Sequence, residues 1–309
     1  MALLTRWFWK VLYFPLTRMV IAFIAIVAGV VLESVILERI GKSYGFWHQP
    51  WYDVLRGAIV ITTVCLVYRG YVRLLEHRAT MELCRKRALG EFAVGAAIGF
   101  GLITATIACL WLGGYYRVEG LGHLPSAGTL IGLGLVAAFV EEILIRGIIF
   151  RITEESLGTW LAMMISALLF GLLHLLNPGA TWIAAVCVAV EAGGLLAAAY
   201  VTTRRLWLPI GLHFAWNFTQ GGIFGVAVSG GATSGMLKST LTGPELLSGG
   251  AFGAEASIFA VLVCTSMTIF LMVRAVRNGH IIQPFWSRSK KEPIPEIANE
   301  PIGEIAESQ

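Results

Sequence analysis

Eight apolar runs, each close to the length that crosses a bilayer, constrain this chain more than any other feature. A spanning helix needs about 20 apolar residues, because only its own hydrogen bonds can satisfy its backbone in hydrocarbon. The runs are Met19–Ile36, Trp51–Tyr68, Phe92–Leu112, Leu130–Phe150, Trp160–Leu176, Trp182–Val201, Leu208–Val228 and Ala256–Val273. The second is the weakest, with Asp53 and Arg56 near its start. Of 309 residues, 14% are charged and 57% hydrophobic, against about 25% charged in a soluble domain. The expected fold is all-α, a polytopic membrane helical bundle of about eight transmembrane helices.

Basic residues set the expected orientation. Residues 69–87 hold Arg69, Arg73, Arg78, Arg85, Lys86 and Arg87. Arg151 follows the fourth run, Arg204 and Arg205 the sixth, and Arg274 and Arg277 the eighth. The alternate loops are poorer, with Arg39 and Lys42, then Arg117, then none, then Lys238. This bias predicts both termini in the cytoplasm of a multi-pass protein, such as one of a bacterial or archaeal plasma membrane. A net charge of +4 dispersed in this way points to membrane lipid and not to nucleic acid. Cys65, Cys84, Cys109, Cys187 and Cys264 are scattered without a Cys-x-x-Cys, so neither a disulfide framework nor a cysteine metal site is expected.

The flanks carry little chemistry. Trp7, Phe8, Trp9 and Lys10 suit a helix lying on the membrane surface, and the first run lacks the small-residue cleavage site of a signal peptide. The expected division is residues 1–126, with three spans and the basic loop; 127–228, a chemical core; 229–283, an external loop and the last span; and 284–309, a disordered cytoplasmic tail containing Pro293, Pro295 and Pro301.

Within the fourth run stands Val140-Glu141-Glu142-Ile143-Leu144-Ile145-Arg146. A charge at bilayer depth costs on the order of 3 kcal/mol, so it is rarely left without a task. On an α-helix Glu142 and Arg146 share a face at i, i+4 and neutralise each other. Glu141 points about 100° away and is left spare. Three further polar residues sit in apolar runs: His174 in Phe170-Gly-Leu-Leu-His174, and His213 with Asn217 in His213-Phe-Ala-Trp-Asn217. Glu33 and Glu191 belong to no motif and read as packing or cavity-lining, Glu191 being the nearer candidate to the site. Glu141 lies 17 residues before Gly158 and His174 lies 16 after it, so a turn at Gly158 brings the two to one level. That requires the turn to project beyond the membrane, with Glu154 and Glu155 in water.

Glu-Glu-x-x-x-Arg, then Phe-x-x-x-His, then His-x-x-x-Asn, in this order, resembles the CAAX prenyl endopeptidase type II and bacteriocin-processing family of intramembrane proteases. The resemblance covers about Ala127 to Gly222. It implies peptide-bond hydrolysis inside a helical bundle. Glu141 is then the base, His174 its partner on the attacking water, and His213 with Asn217 the oxyanion donors. Glu142 with Arg146 supports them. A carboxylate in apolar surroundings suits the first role, and a preorganised amide or imidazole N–H suits the third. The implied partner is a membrane-associated peptide or protein, prenylated or not.

Other chemistries are weighed by their residues. Asp53 is the only aspartate, which excludes a two-aspartate mechanism. No His-Glu-x-x-His occurs, and the one Gly-x-Ser-x-Gly, at Gly41–Gly45, lies in a short loop between runs. Glu141, His174 and His213 are zinc ligands by type. Spending them on metal leaves fewer groups for water and oxyanion, which favours a metal-free glutamate mechanism with no cofactor. The competing functions are a proton-coupled transporter using Glu141, Glu142 and Arg146 as a relay, and a silent scaffold or immunity protein of the same fold.

Overall fold

A computed structural model describes residues 9–288 apart from 48, 124–127 and 129–130. Trp7, Phe8 and residues 289–309 of the expected tail lie outside the described residues. Helix α1 is Pro15–Ser43, α2 Pro50–Leu74 and α3 Ala88–Leu112. Prolines at the first turn of α1 and α2 cost no hydrogen bond there. Next come strand β1, Tyr116–Leu121, and α4, Ala137–Glu142, flanked by π-helical Ile131–Val136 and Ile143–Phe150. Helix α5 is Arg151–Leu173. Helix α6, Trp182–Val188, continues through π-helical Ala189–Gly194 into α7, Leu195–Thr203. Helix α8, Trp207–Asn217, runs on through π-helical Phe218–Ile223. Strand β2, Leu237–Leu241, short α9, Glu245–Ser248, and α10, Ile258–Arg277, complete the chain.

Six helical stretches among the described residues are long and apolar enough to cross a membrane, and the protein is an integral membrane protein. One of the six, Gly134–Leu176, is broken at Gly158, whose φ of 76° and ψ of 170° no helix contains. The helical stretch 207–223 falls just short of the usual span length. Each of the eight apolar runs of the sequence lies largely on helix.

Glycine sets the closest packing. A Cβ on Gly95 or Gly99 of α3 would lie 2.2 Å from a backbone oxygen of α8, and one on Gly211 of α8 would lie 2.2 Å from the Phe92 carbonyl. This Gly-x-x-x-Gly face lets two backbones touch, which is how apolar helices associate where lipid is as apolar as they are. Helix α8 is also tied at its start, where Trp207 Nε1 donates to the Cys84 carbonyl at 2.8 Å.

The basic segments gather at one end of the bundle. Glu76 bonds Arg18 at 2.5 Å, Arg151 at 2.7 Å and Arg78 at 2.9 Å. Burial pushes the Glu76 carboxyl up, but the guanidiniums of Arg151, Arg78 and Arg18 outweigh it and hold it at about 2. The Gly158 turn lies at this same end, as its expected projection requires. Glu154 and Glu155 are not simply solvated there, however. Glu154 is buried against Arg204 at 2.5 Å and accepts from Thr159, while Glu155 pairs with Arg151 at 2.6 Å. Carboxylates at a crowded basic end gain more from guanidinium partners than from water.

Two expectations about the loops change. Residues 229–250 hold β2, which pairs antiparallel with β1 in a two-stranded ribbon, so that end is not wholly loop. Neither strand has the length of a span, so only pairing reveals them. At the other terminus, Pro284–Arg288 of the expected disordered tail is packed. Phe285 N–H donates to the Ser156 carbonyl at 2.9 Å, and a Cβ on Gly158 would lie 2.7 Å from the Pro284 nitrogen.

Candidate active site

The local backbone around the site is unusual. Glu141 and Glu142 close α4 and a π turn follows at once, and Asn217 closes α8 before another. A third π turn, Ala189–Gly194, carries Glu191. Widened turns of this kind occur frequently at functional sites, because the i→i+5 pattern leaves carbonyls to be satisfied from outside. Here Arg146 does so. Its Nη2 donates to the carbonyls of Ala192 and Gly193 at 3.2 Å each.

Glu142 and Arg146 are both fully buried, and Arg146 Nη1 donates to Glu142 Oε1 at 2.8 Å. The guanidinium also lies 4.6 Å over the Phe170 ring. The pair survives although the helix between them turns to the wider pitch. The same carboxyl oxygen takes a second partner: His213 Nδ1 lies 3.1 Å from Glu142 Oε1. A carboxylate bonded to arginine can only accept, so His213 carries its proton on Nδ1. His213 Nε2 lies 3.9 Å from Glu141 Oε2, beyond a hydrogen bond. Glu141 keeps about a third of its side chain exposed, while its Oε2 is buried without a hydrogen-bond partner among the described residues.

His174 Nδ1 lies 2.7 Å from the Phe170 carbonyl, one turn back on the same helix. A carbonyl cannot donate, so here too Nδ1 carries the proton and Nε2 is left as an acceptor. Glu141 and His174, 33 residues apart in sequence, line one cavity of about 190 Å³ with Phe23, Leu144, Leu173 and Asn177. On its other side His174 shares a smaller cavity, about 30 Å³, with His213 and Asn217. That is room for about one water. The fold-back at Gly158 and the glycine seam between α3 and α8 thus gather residues from three separate stretches.

Two more carboxyls face the smaller cavity. Glu191, anticipated as a neighbour, lines it. So does Glu255, just ahead of α10, which no motif marks and which the sequence reading missed. Glu255 accepts from Gln220 Nε2 at 3.0 Å and from the backbone N–H of Ser229. Burial pushes its carboxyl up to about 7, against these hydrogen bonds. A glutamate immediately before an apolar run looks like an ordinary helix-end charge, so nothing in the sequence singled it out. Glu33 is not drawn to the site, and both its carboxyl oxygens are buried without a hydrogen-bond partner among the described residues.

No group of three or more His, Cys, Asp or Glu among the described residues is arranged to hold a metal ion.

No curated protein and no solved structure matches this chain. Residues 123–219, which contain Glu141, Glu142, Arg146, His174, His213 and Asn217, match the family model described as type II CAAX prenyl endopeptidase Rce1-like.

Proposed function

We propose that the protein is an intramembrane endopeptidase that hydrolyses a peptide bond of a membrane-associated peptide or protein by a glutamate-activated water. The observation that carries this reading is the shared cavity of Glu141 and His174, with His213 and Asn217 behind the same histidine. In the proposed reaction the Glu141 carboxylate takes a proton from water while His174 Nε2 accepts that water's other O–H. The hydroxide adds to the scissile carbonyl carbon. The oxyanion that forms is held by the Asn217 amide and the His213 Nε2–H, and Glu141 then passes its proton to the leaving amine as the C–N bond breaks. Glu142 and Arg146 hold His213 in place. The apolar wall given by Phe23, Leu144, Ile145, Ile149 and Leu173 suits a substrate with apolar side chains or a lipid chain beside the scissile bond.

The test is cleavage of a peptide library by detergent-purified protein. Glu141→Gln keeps the shape and removes the base, so it should fold normally and lose about 10²- to 10⁴-fold or more in rate. Parental cleavage by well-folded Glu141→Gln protein would sink the proposal. Activity that vanishes with a strong chelator and returns with zinc would instead support the metal reading.

A further inference from the structure

Helices α5 and α10 leave a groove between them near the basic end of the bundle, with a volume of about 420 Å³. Trp160 and Met163 form one wall, and Ile269, Val273 and Arg277 the other. Gly194 lies behind two of the lining residues: a methyl there would lie 3.9 Å from Thr268 Cγ2 and 4.0 Å from Met163 Cε. The one hydroxyl inside, that of Thr268, is satisfied by the Cys264 carbonyl at 2.8 Å. Nothing within the groove therefore asks for water.

Its polar chemistry lies at one end. Arg277 is exposed in the last turn of α10 and makes no ion pair among the described residues. By contrast Arg18, Arg78, Arg151, Arg204 and Arg205, at the same end, each bond a glutamate. Trp160 stands beside the groove with its ring more than half exposed. Taken singly, Arg277 complements the helix dipole and Trp160 is an interfacial anchor. Neither role accounts for an apolar groove running between them. Exposed Ile269, Val273 and Val276 place its mouth on the flank that faces hydrocarbon.

We propose that this groove is a binding site for one anionic phospholipid, with an acyl chain between α5 and α10 and the headgroup phosphate on the Arg277 guanidinium. The chain finds an apolar slot and the phosphate a cation held at interfacial depth, the combination that makes basic pockets between membrane helices selective for acidic lipids. The site is separate from the Glu141 cavity and does not depend on the proposed hydrolysis.

The test uses the full-length protein in mild detergent, titrated with phosphatidylglycerol, phosphatidylcholine of the same chains, or glycerol phosphate, and read by native mass spectrometry. The parent should hold one phosphatidylglycerol about fivefold more tightly than phosphatidylcholine, as one basic contact implies, and should not retain glycerol phosphate. Arg277→Gln should bring the two lipids level. Thr268→Phe, which fills the groove, should weaken both. Equal binding of the two lipids to the parent, or a preference unchanged in Arg277→Gln, would overturn the proposal. So would a second copy of the chain or a farnesylated peptide occupying the groove in preference to phosphatidylglycerol.

Discussion

His213 Nδ1 donates to Glu142 Oε1 at 3.1 Å, so the carboxylate that neutralises Arg146 also fixes the tautomer of the histidine. With Nδ1 engaged, neutral His213 has only a lone pair on Nε2. It can donate to an oxyanion only as the imidazolium, which the carboxylates of Glu141 and Glu142 on either side of the ring accommodate.

The first prediction concerns pH. The proposed reaction needs Glu141 ionised and His213 protonated, so kcat/KM should be bell-shaped, falling on the alkaline side as the imidazolium loses its proton. In His213→Gln an amide donates at every pH, so that alkaline fall should disappear, with about 10²-fold lower rate at the optimum. A parental profile that is flat through high pH would remove His213 from the donor role.

Arg146→Ala should lower the yield of folded protein more than its specific activity. It strands Glu142, fully buried, and leaves the carbonyls of Ala192 and Gly193 without their donor. Loss of one partner of a buried pair costs about 3–5 kcal/mol. Glu142→Gln with Arg146→Gln removes both charges and should recover part of the yield, as detergent-stable protein measured by size-exclusion chromatography. Arg146→Ala protein as abundant and stable as the parent would contradict the pairing.

Gly99→Val tests the seam that carries the site helix. The new side chain would start 2.2 Å from the Leu212 carbonyl, next to His213. Backbone cannot yield as a flexible side chain does, so α8 must shift. Overpacking of this kind costs about 1–3 kcal/mol, and a displaced His213 and Asn217 should lower kcat in whatever protein still folds. Thermal unfolding and turnover together check this, and unchanged values for both would show that the seam is looser than described.

At the basic end the sign of the pH effect follows from Glu76. Its carboxyl is held at about 2, below its ordinary value of 4.5, so it adds stability above pH 4.5 that is lost as pH falls toward 2. The contribution is about 3 kcal/mol at most. Glu76→Gln should lower the unfolding temperature near neutrality and flatten its fall in acid. A variant with the parent's acid dependence would mean that other carboxylates carry it.

The sequence by itself determined the membrane fold and most of the candidate residues. Hydrophobic runs and isolated charges at bilayer depth are strong one-dimensional signals, because lipid penalises every departure from them. The turn at Gly158 was legible from nearly equal spacings to Glu141 and His174, and the structure places both on one cavity. Only the tertiary structure decided how those residues pair with one another. Glu142 serves two partners because α8 is pressed by Gly95 and Gly99 of α3, a helix outside the motif-bearing stretch. Glu255 reaches the small cavity from the start of α10, more than a hundred residues after Glu141. The β1–β2 ribbon and the packed Pro284–Arg288 likewise depend on partners distant in the chain. A sequence displays what each residue costs to bury, but which distant backbone will lie against it is settled by packing in three dimensions.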